Sequence, residues 1–333
     1  MLEPTDHEGD AMHAAVYDHT GGPEVLRYDE VPDPEVRPGG VLVTVEAISI
    51  EGGDTLNRGG GALAGVPHIV GYQCAGVISE VGAGVTDRHV GQRVVATMAH
   101  GSHAELVAVP VRSTWVIPDG LDTVTAACVP IAFGTAHDCL FEFGRLAEGE
   151  TVLVQAGASG VGIAAVQLAH RAGATVIATA SSDERLERLR PLGLDHPVNY
   201  RTSPDWVAEV LSLTDGRGVE LAIDPVGGPT LAGSLRCLGY RGRGITVGNA
   251  GREPQPQDVG ILMAGNRSLT GVFLGAELAS GTRAHELIGA LLDQVAQGEL
   301  TVVVDSTWPL ADAAGAHAHI ESRQAFGRVV LVP

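Results

Sequence analysis

A glycine-rich turn follows an apolar strand and opens an apolar helix, in the order Gln155-Ala-Gly-Ala-Ser-Gly-Val-Gly162. In such a turn the helix N-terminus offers N–H groups and the positive end of its dipole to an anion, and glycines let the backbone come close to that anion. The middle glycine of the usual dinucleotide pattern is replaced by serine. The turn predicts a dinucleotide site whose contacts are Gly157, Ala158, Ser159, Gly160, Val161 and Gly162.

The end of the following strand indicates which dinucleotide is bound. Enzymes that use NAD place a carboxylate there for the ribose 2′-hydroxyl, whereas this strand ends in small neutral residues, with Ser181 among them and Arg185 shortly after. A hydroxyl and a guanidinium suit a 2′-phosphate. Asp183 and Glu184 are close by, but acidic residues are also favoured in the first turn of a helix. We expect NADPH rather than NADH.

All 21 basic side chains are arginine, and the 40 acidic ones give a net charge of −19. The absence of lysine excludes Schiff-base, P-loop and lysine-base mechanisms. The acidic balance argues against a nucleic-acid or anionic membrane surface, because phosphate selects clustered positive charge. Any phosphate contact made by a basic side chain therefore has to come from arginine.

The four cysteines, Cys74, Cys128, Cys139 and Cys237, are scattered and form no Cys-x-x-Cys pair. They are expected to be buried free thiols in a cytoplasmic protein. The uncharged stretch 151–170 is interrupted by glutamines and glycines, so it is not expected to span a membrane.

The pattern of predicted strands and helices changes near residue 125. Short strands with turn punctuation fill residues 12–125, and strands then alternate with helical segments, which predicts a parallel sheet with right-handed crossovers. Residues 268–273 are a possible sixth strand, and 301–304 are expected to form another. The sequence predicts a β-rich domain over 12–125, completed by 295–333, a doubly wound α/β domain over 126–294, and a disordered extension over 1–11.

Several segments together resemble the zinc-independent quinone oxidoreductases of the medium-chain dehydrogenase/reductase superfamily. They are 14–26, 71–82, the turn at 156–162, 198–201, 224–228 and 327–331. The resemblance implies an α/β protein with a GroES-like catalytic domain, a Rossmann cofactor domain and an active site in the cleft between them. It also implies a homodimer formed by the edges of the Rossmann sheets, with 268–273 as a candidate edge strand.

The resemblance implies further cofactor residues. Ser181 and Arg185 would hold the 2′-phosphate, with Arg185 at a position where the family usually has lysine. Tyr200 would line the adenosine side, and Thr135 and Ala136 would flank the nicotinamide. The nicotinamide ribose and carboxamide would be approached by Gly248, Asn249, Phe273 and Leu274. Arg323 would also reach the cofactor.

Two departures from the family lie at the expected reaction centre, where Glu51 replaces the usual asparagine and Leu56 replaces a tyrosine found in some members.

Zinc relatives read Gly-His-Glu where this chain has Gly71-Tyr72-Gln73, and no cysteine precedes that segment. We therefore expect no metal and a substrate that accepts hydride readily, such as a quinone or an alkene conjugated to a carbonyl.

The proton donor is left open by the sequence among Glu51, Asp54, Tyr72 and His137, and Thr135 is a further candidate catalytic residue. The closest alternative function is an enoyl reductase of a biosynthetic pathway. A second alternative, motivated by Glu51 and Leu56, is a non-catalytic sensor that binds NADPH.

Overall fold

A computed structural model of the chain describes residues 11–333 and divides them into two compact units. The first contains the residues up to Cys128 together with Ser306–Gln324 and Val329–Pro333. The second contains Val129–Asp305 and Ala325–Arg328. The predicted disordered extension lies outside the described residues except for Ala11, which already pairs with Pro32 in the first strand.

The first unit is built mainly from strands in two sheets. A three-stranded sheet has the order β2-β1-β4, and a seven-stranded sheet has the order β15-β16-β3-β5-β6-β8, with β7 paired to β3. The strands are β1 (Ala11–Tyr17), β2 (Arg27–Pro32), β3 (Gly40–Ser49), β4 (His68–Ile69), β5 (Gln73–Val81), β6 (Arg93–Thr97), β7 (Leu106–Pro110), β8 (Thr114–Val116), β15 (Val304–Pro309) and β16 (Arg328–Val332). Its helices are α1 (Gly52–Gly60), α2 (Thr123–Ala127) and α11 (Ala313–Glu321).

The second unit is a six-stranded sheet of order β11-β10-β9-β12-β13-β14, and every adjacent pair is parallel. The strands are β9 (Thr151–Val154), β10 (Thr175–Ala180), β11 (His196–Asn199), β12 (Val219–Asp224), β13 (Leu238–Thr246) and β14 (Ser268–Gly271). The helices are α3 (Pro130–His137), α4 (Gly160–Arg171), α5 (Asp183–Leu189), α6 (Trp206–Leu213), α7 (Gly228–Cys237), α8 (Gly260–Met263), α9 (Leu274–Ser280) and α10 (Arg283–Ala296). The alternation of the sequence is thus the doubly wound sheet that it predicted.

The strand register fixes where the functional edge of this sheet lies. Val154 of β9 is level with Ala178 of β10 and with Ile223 of β12. The residues that follow these partners therefore emerge together at one carboxyl edge, which is where ligands bind in open parallel sheets.

Two predicted strands are wrong at their bounds. β14 ends at Gly271, and Phe273 instead caps α9. The strand expected at 301–304 begins only at Val304, because Gln167 takes both backbone groups of Thr301: its Nε2 donates to the Thr301 carbonyl at 2.9 Å and its Oε1 accepts from the Thr301 amide at 2.8 Å.

Over residues 11–333 the structure contains no helix that is both long and apolar enough to cross a membrane.

Candidate functional site

The glycine turn joins β9 to α4 at the carboxyl edge of the parallel sheet. Ala156 lies in the left-handed region with a φ of 51°, and Ser159 caps α4 by accepting the Gly162 amide at 3.1 Å through its Oγ. Serine in place of the middle glycine thus supplies an N-cap. Ser159 accepts the amides of Gly162 and Ile163, so the N–H groups at the start of α4 that are available to an anion are those of Gly160 and Val161.

Two glycines of the turn have neighbouring atoms too close for a side chain. A Cβ on Gly162 would lie 2.3 Å from the Ala156 carbonyl oxygen and 2.7 Å from the Cα of Gly157. A Cβ on Gly157 would lie 2.9 Å from the Ala178 side chain. The start of α4 therefore packs directly on the turn, and side chains at these positions would push the two apart.

A second segment of the same unit, near the C-terminus of the chain, packs against this turn. The Gly327 amide donates to the Ala158 carbonyl at 3.0 Å, and the Arg328 side chain lies beside Gly160, where a Cβ would be 2.4 Å from Nη1. Arg328 is only 6% exposed. Sequence reasoning missed this arginine, although 327–331 was one of the segments that carried the family resemblance.

A buried hydrogen-bond chain lies beneath the turn and crosses three strands. Thr179 Oγ1 donates to Gln155 Oε1 at 2.6 Å, Gln155 Nε2 donates to Ser234 Oγ at 3.1 Å, and Ser234 Oγ donates to Asp224 Oδ2 at 2.7 Å. All four side chains are 2% exposed or less. The Ala156 amide donates to Thr179 Oγ1 at 3.3 Å, so the chain ends on the turn itself.

Asp224 anchors the other end of this chain. Its Oδ1 accepts the amides of Val226 and Gly227 at 2.8 and 2.7 Å. Burial raises the pKa of the Asp224 carboxyl, and these amides and the Ser234 hydroxyl oppose the rise. These hydrogen bonds therefore fix the loop after β12 relative to the turn after β9.

The predicted 2′-phosphate residues lie at the end of β10. Ser181 follows the strand directly, Ser182 caps α5 by accepting the Arg185 amide at 3.4 Å, and the Tyr200 amide donates to the Ala180 carbonyl at 3.2 Å. The Asp183 carboxylate accepts a hydrogen bond from Asn199 Nδ2 at 2.8 Å. The structure thus brings Ser181, Arg185 and Tyr200 to one edge of the sheet.

The predicted nicotinamide-side residues are in the same unit. Gly248 and Asn249 follow β13, and a Cβ on Gly227 would lie 2.7 Å from Asn249 Oδ1. Thr135 and Ala136 are buried on α3, where a Cβ on Gly134 would lie 3.0 Å from Leu274.

Phe273 and Leu274 differ sharply in exposure. Phe273 is 75% exposed and Leu274 is 3% exposed. The Phe273 ring lies over Gly275, where a Cβ would come within 2.6 Å of it.

The predicted catalytic residues of the first unit form one polar cluster at the start of α1, in which Glu51 and Asp54 are buried and Tyr72 is half-buried. Asp54 Oδ2 accepts the Glu51 amide at 2.7 Å, and Gln73 Nε2 donates to Glu51 Oε1 at 2.5 Å. The hydroxyl of Tyr72 donates to the Gly53 carbonyl at 3.3 Å. Burial, aided by the charge of Asp54, raises the pKa of Tyr72 to about 12, so this phenol keeps its proton at neutral pH.

The rest of α1 is fixed by a buried arginine. Arg58 is fully buried, forms an ion pair with Glu321 of α11 and donates to the Gly21 carbonyl at 3.1 Å. Arg323, the predicted cofactor residue of this unit, lies just after α11 with a φ of 60° and is exposed.

Gln73 and Arg58 were not predicted as site residues, and His103 and His317 were not predicted to meet. Their Nε2 atoms are 3.0 Å apart in the core of the first unit. In the part of the chain that the structure describes, no group of three or more His, Cys, Asp or Glu side chains is arranged to hold a metal ion.

Comparison with known proteins assigns both parts of the chain. Residues 37–119 match the family model described as alcohol dehydrogenase GroES-like domain, and residues 160–293 match the one described as zinc-binding dehydrogenase. A 2-haloacrylate reductase from Burkholderia sp. is 34% identical over 96% of this chain and 98% of its own length. A quinone oxidoreductase from Pseudomonas aeruginosa is 33% identical over 94% of this chain and 97% of its own length. The chain belongs to the quinone oxidoreductase family of the medium-chain dehydrogenase/reductase superfamily.

Solved members of the quinone oxidoreductase family share this fold. The Escherichia coli quinone oxidoreductase, crystallised in complex with NADPH, is 28% identical, and the match covers 96% of this chain and 100% of that chain with a TM-score of 0.91. The resemblance and the fold class expected from the sequence, a GroES-like domain plus a Rossmann domain, are therefore confirmed.

Proposed function

We propose that the chain is an NADPH-dependent oxidoreductase that delivers hydride to a quinone or another conjugated carbonyl acceptor. The observation that carries the proposal is the glycine turn at the carboxyl edge of the parallel sheet, with Arg328 beside it and Ser181 and Arg185 at the end of β10. NADPH would supply the hydride when bound.

The residues present fit such a dinucleotide. The glycine turn and the first N–H groups of α4 would bind the pyrophosphate, and the Arg328 guanidinium would offset part of its charge. Ser181 and Arg185 would bind the 2′-phosphate, and Tyr200 would line the adenosine side. Thr135, Ala136, Gly248, Asn249, Phe273, Leu274 and Arg323 are proposed for the nicotinamide half and the remaining cofactor contacts.

Reduction of a conjugated carbonyl also consumes a proton, and the cluster of the first unit can hold one. Tyr72 remains a neutral phenol because of its raised pKa. Glu51 is fixed by Gln73, and Asp54 fixes the backbone of Glu51. We assign Tyr72 as the proton donor. Glu51 and Asp54 are proposed to fix the start of α1, whose Gly53 carbonyl accepts the Tyr72 hydroxyl.

The test of the cofactor assignment is oxidation of NADPH and of NADH by the purified enzyme, with a quinone panel and an enone panel. Arg185→Ala should raise KM for NADPH far more than for NADH. Arg190→Ala is the matched control, because Arg190 is exposed and bonded to Glu187 at 2.8 Å. An equal change for both cofactors would refute the phosphate assignment, and no turnover with either panel would refute the function.

An enoyl reductase is the second candidate. The 34% identity with a 2-haloacrylate reductase supports it, because that relative's name describes reduction of an alkene conjugated to a carboxyl group. Turnover confined to the enone panel would select it. Tight NADPH binding without turnover would instead select the sensor.

We also propose a homodimer in the cytoplasm. β14 is an edge strand of the parallel sheet, and the large side chains Tyr240 and Met263, nearby in the chain, are 73% and 81% exposed. The four free, buried cysteines suit a reducing compartment. Light scattering should give twice the chain mass, and Met263→Glu should shift it towards the monomer.

A further inference from the structure

Arg283, the first residue of α10, joins three helical segments of the second unit. Its Nη1 and Nη2 donate to the two carboxylate oxygens of Asp138 at 2.8 and 3.1 Å, and Nη2 also donates to Glu277 Oε2 at 2.7 Å. Asp138 directly follows α3, and Glu277 is on α9. The dipole of a helix disfavours a cation in its first turn, so the stability of α10 alone does not account for an arginine at this position.

The carboxylate that Arg283 holds is completely buried. The Asp138 side chain is 0% exposed, whereas that of Arg283 is 38% exposed. A buried carboxylate needs a close partner, and a forked, two-bond pair with arginine is among the strongest. The chain also changes its winding here, because the Phe143 amide donates to the Asp138 carbonyl, five residues back, at 3.0 Å. Such wide helical turns are rare and are frequently found at functional sites.

An apolar contact joins the same three helices one turn away. Leu274 precedes Glu277 by three residues and Gly134 precedes Asp138 by four, so each pair is on one face of its helix. A Cβ on Gly134 would lie 3.0 Å from Leu274 and 3.6 Å from Ile288 of α10. The close packing and the ion pairs therefore hold α9 and α10 against α3 at two successive turns.

These helices carry residues proposed for the nicotinamide half of the cofactor. Thr135 and Ala136 lie on α3 between the two contacts, and Phe273 and Leu274 open α9. Hydride transfer is sensitive to displacements of about 1 Å between the reacting groups. We propose that Arg283 is a positioning residue for hydride transfer, which fixes the nicotinamide by holding α9 against α3. This role rests on the proposed function, because the cofactor contacts of these helices are proposed there.

The phosphate contacts proposed for NADPH are elsewhere in this unit, at the glycine turn and at the end of β10. Loosening α9 should therefore slow hydride transfer without weakening NADPH binding. Fluorescence titration measures the Kd for NADPH, and stopped-flow absorbance measures NADPH oxidation in a single turnover with a quinone or enone. The fluorescence anisotropy of bound NADPH, which falls when the nicotinamide ring moves within its site, needs no turnover.

The sharpest comparison changes two glutamates beside the same arginine. Glu277→Gln removes the charge that links α9 to Arg283, so it should lower the single-turnover rate roughly tenfold and lower the anisotropy, with Kd unchanged. Glu142→Gln removes an equal charge 3.8 Å from the Arg283 Nε. Glu142 is on the same segment as Asp138, which already makes that link, so this control should change none of the three quantities.

Replacement of the arginine removes the whole link. Arg283→Met should lower the single-turnover rate roughly 10²-fold, and Arg283→Lys, which keeps the charge but lacks the planar fork, should restore only part of it. Arg171→Met is the control for loss of an arginine ion pair in this unit, because Arg171 is 43% exposed and pairs with Glu299 at 2.6 Å. It should leave the rate and the anisotropy unchanged.

Equal effects of Glu277→Gln and Glu142→Gln would overturn the proposal, because charge alone would then explain them. So would an Arg283→Met enzyme that unfolds more easily in urea but keeps the wild-type rate and anisotropy. If Arg283→Met does not fold, Glu277→Gln decides, because Glu277 is partly exposed and its replacement leaves the Asp138 pair intact. If the wild type reduces neither panel, the proposed function fails, and the anisotropy of bound NADPH in Glu277→Gln still decides whether Arg283 positions the nicotinamide.

Discussion

Replacement of Gly162 by alanine tests whether the turn before α4 is the cofactor site. The added Cβ would lie 2.3 Å from the Ala156 carbonyl oxygen, and ordinary contact begins near 3.4 Å. Relief therefore requires a shift of about 1 Å, the difference between these values, and both obstructing groups are backbone. Overpacking of this kind costs about 1–3 kcal/mol.

The displacement would separate the start of α4 from the turn that is proposed to bind the pyrophosphate. Loss of one charge-assisted hydrogen bond to that group costs about 1.5–3 kcal/mol. We therefore expect Gly162→Ala to raise the Kd for NADPH by roughly 10- to 150-fold. Fluorescence titration of NADPH measures the affinity, and urea unfolding measures the stability separately.

Two other glycines give a graded comparison. At Gly160 the obstructing group is the Nη1 of Arg328, the end of a flexible side chain, so Gly160→Ala should weaken binding less than Gly162→Ala. At Gly281 nothing lies within 4 Å of the added Cβ, and Gly281→Ala should leave Kd unchanged. If Gly162→Ala unfolds more easily but binds NADPH as tightly as the wild type, the turn is not the cofactor site.

Three further predictions follow from the buried polar groups. Ser234→Ala removes the partner of Gln155 Nε2 and one donor to the Asp224 carboxylate, so the free energy of unfolding should fall by about 3 kcal/mol. The control is Ser212→Ala on an exposed face, which should change the free energy of unfolding little. Burial lowers the pKa of His103 to about 3, so this histidine is protonated in the unfolded chain at a higher pH than in the folded protein, and the free energy of unfolding falls as the pH drops below 6.5. At pH 5 the expected decrease is about 2 kcal/mol. In urea unfolding, the decrease between neutral pH and pH 5 should be smaller by that amount in His103→Phe than in the wild type. Tyr72→Phe should lower kcat by at least about 10²-fold if the phenol donates the proton, and unchanged kcat would remove it from that role.

The parallel sheet could be predicted because β9, β10 and β12 are short apolar runs, each followed by turn residues and a helix. The strand at 301–304 was misplaced because the side chain that satisfies Thr301, that of Gln167, is far away in sequence. A local pattern does not contain such a partner.

The same distinction separates the predicted site residues from the missed ones. The turn over 157–162 could be proposed from the sequence because its expected function depends on consecutive residues. Arg328 was missed because it meets Gly160 only through the return of the chain near its C-terminus. The sequence indicated Gln73 only weakly, because it stands at a position where zinc relatives have glutamate. In the structure, Gln73 donates a hydrogen bond to Glu51.

The charge of the chain has a consequence for how NADPH arrives. A net charge of −19 repels an anionic cofactor at a distance, whereas the contacts proposed for it, Arg328, Arg185 and the N-terminus of α4, would attract it only at short range. Raising the ionic strength from about 0.01 M to 0.1 M shortens the Debye length from about 30 Å to about 10 Å, and it should weaken the repulsion more than the partly buried contacts. We therefore expect the association rate of NADPH in stopped-flow fluorescence to rise with salt while the dissociation rate changes little, and the rise should be smaller for the less charged NADH. A fall in the NADPH association rate would mean that a positive surface draws the cofactor in, against the distribution of charge proposed here.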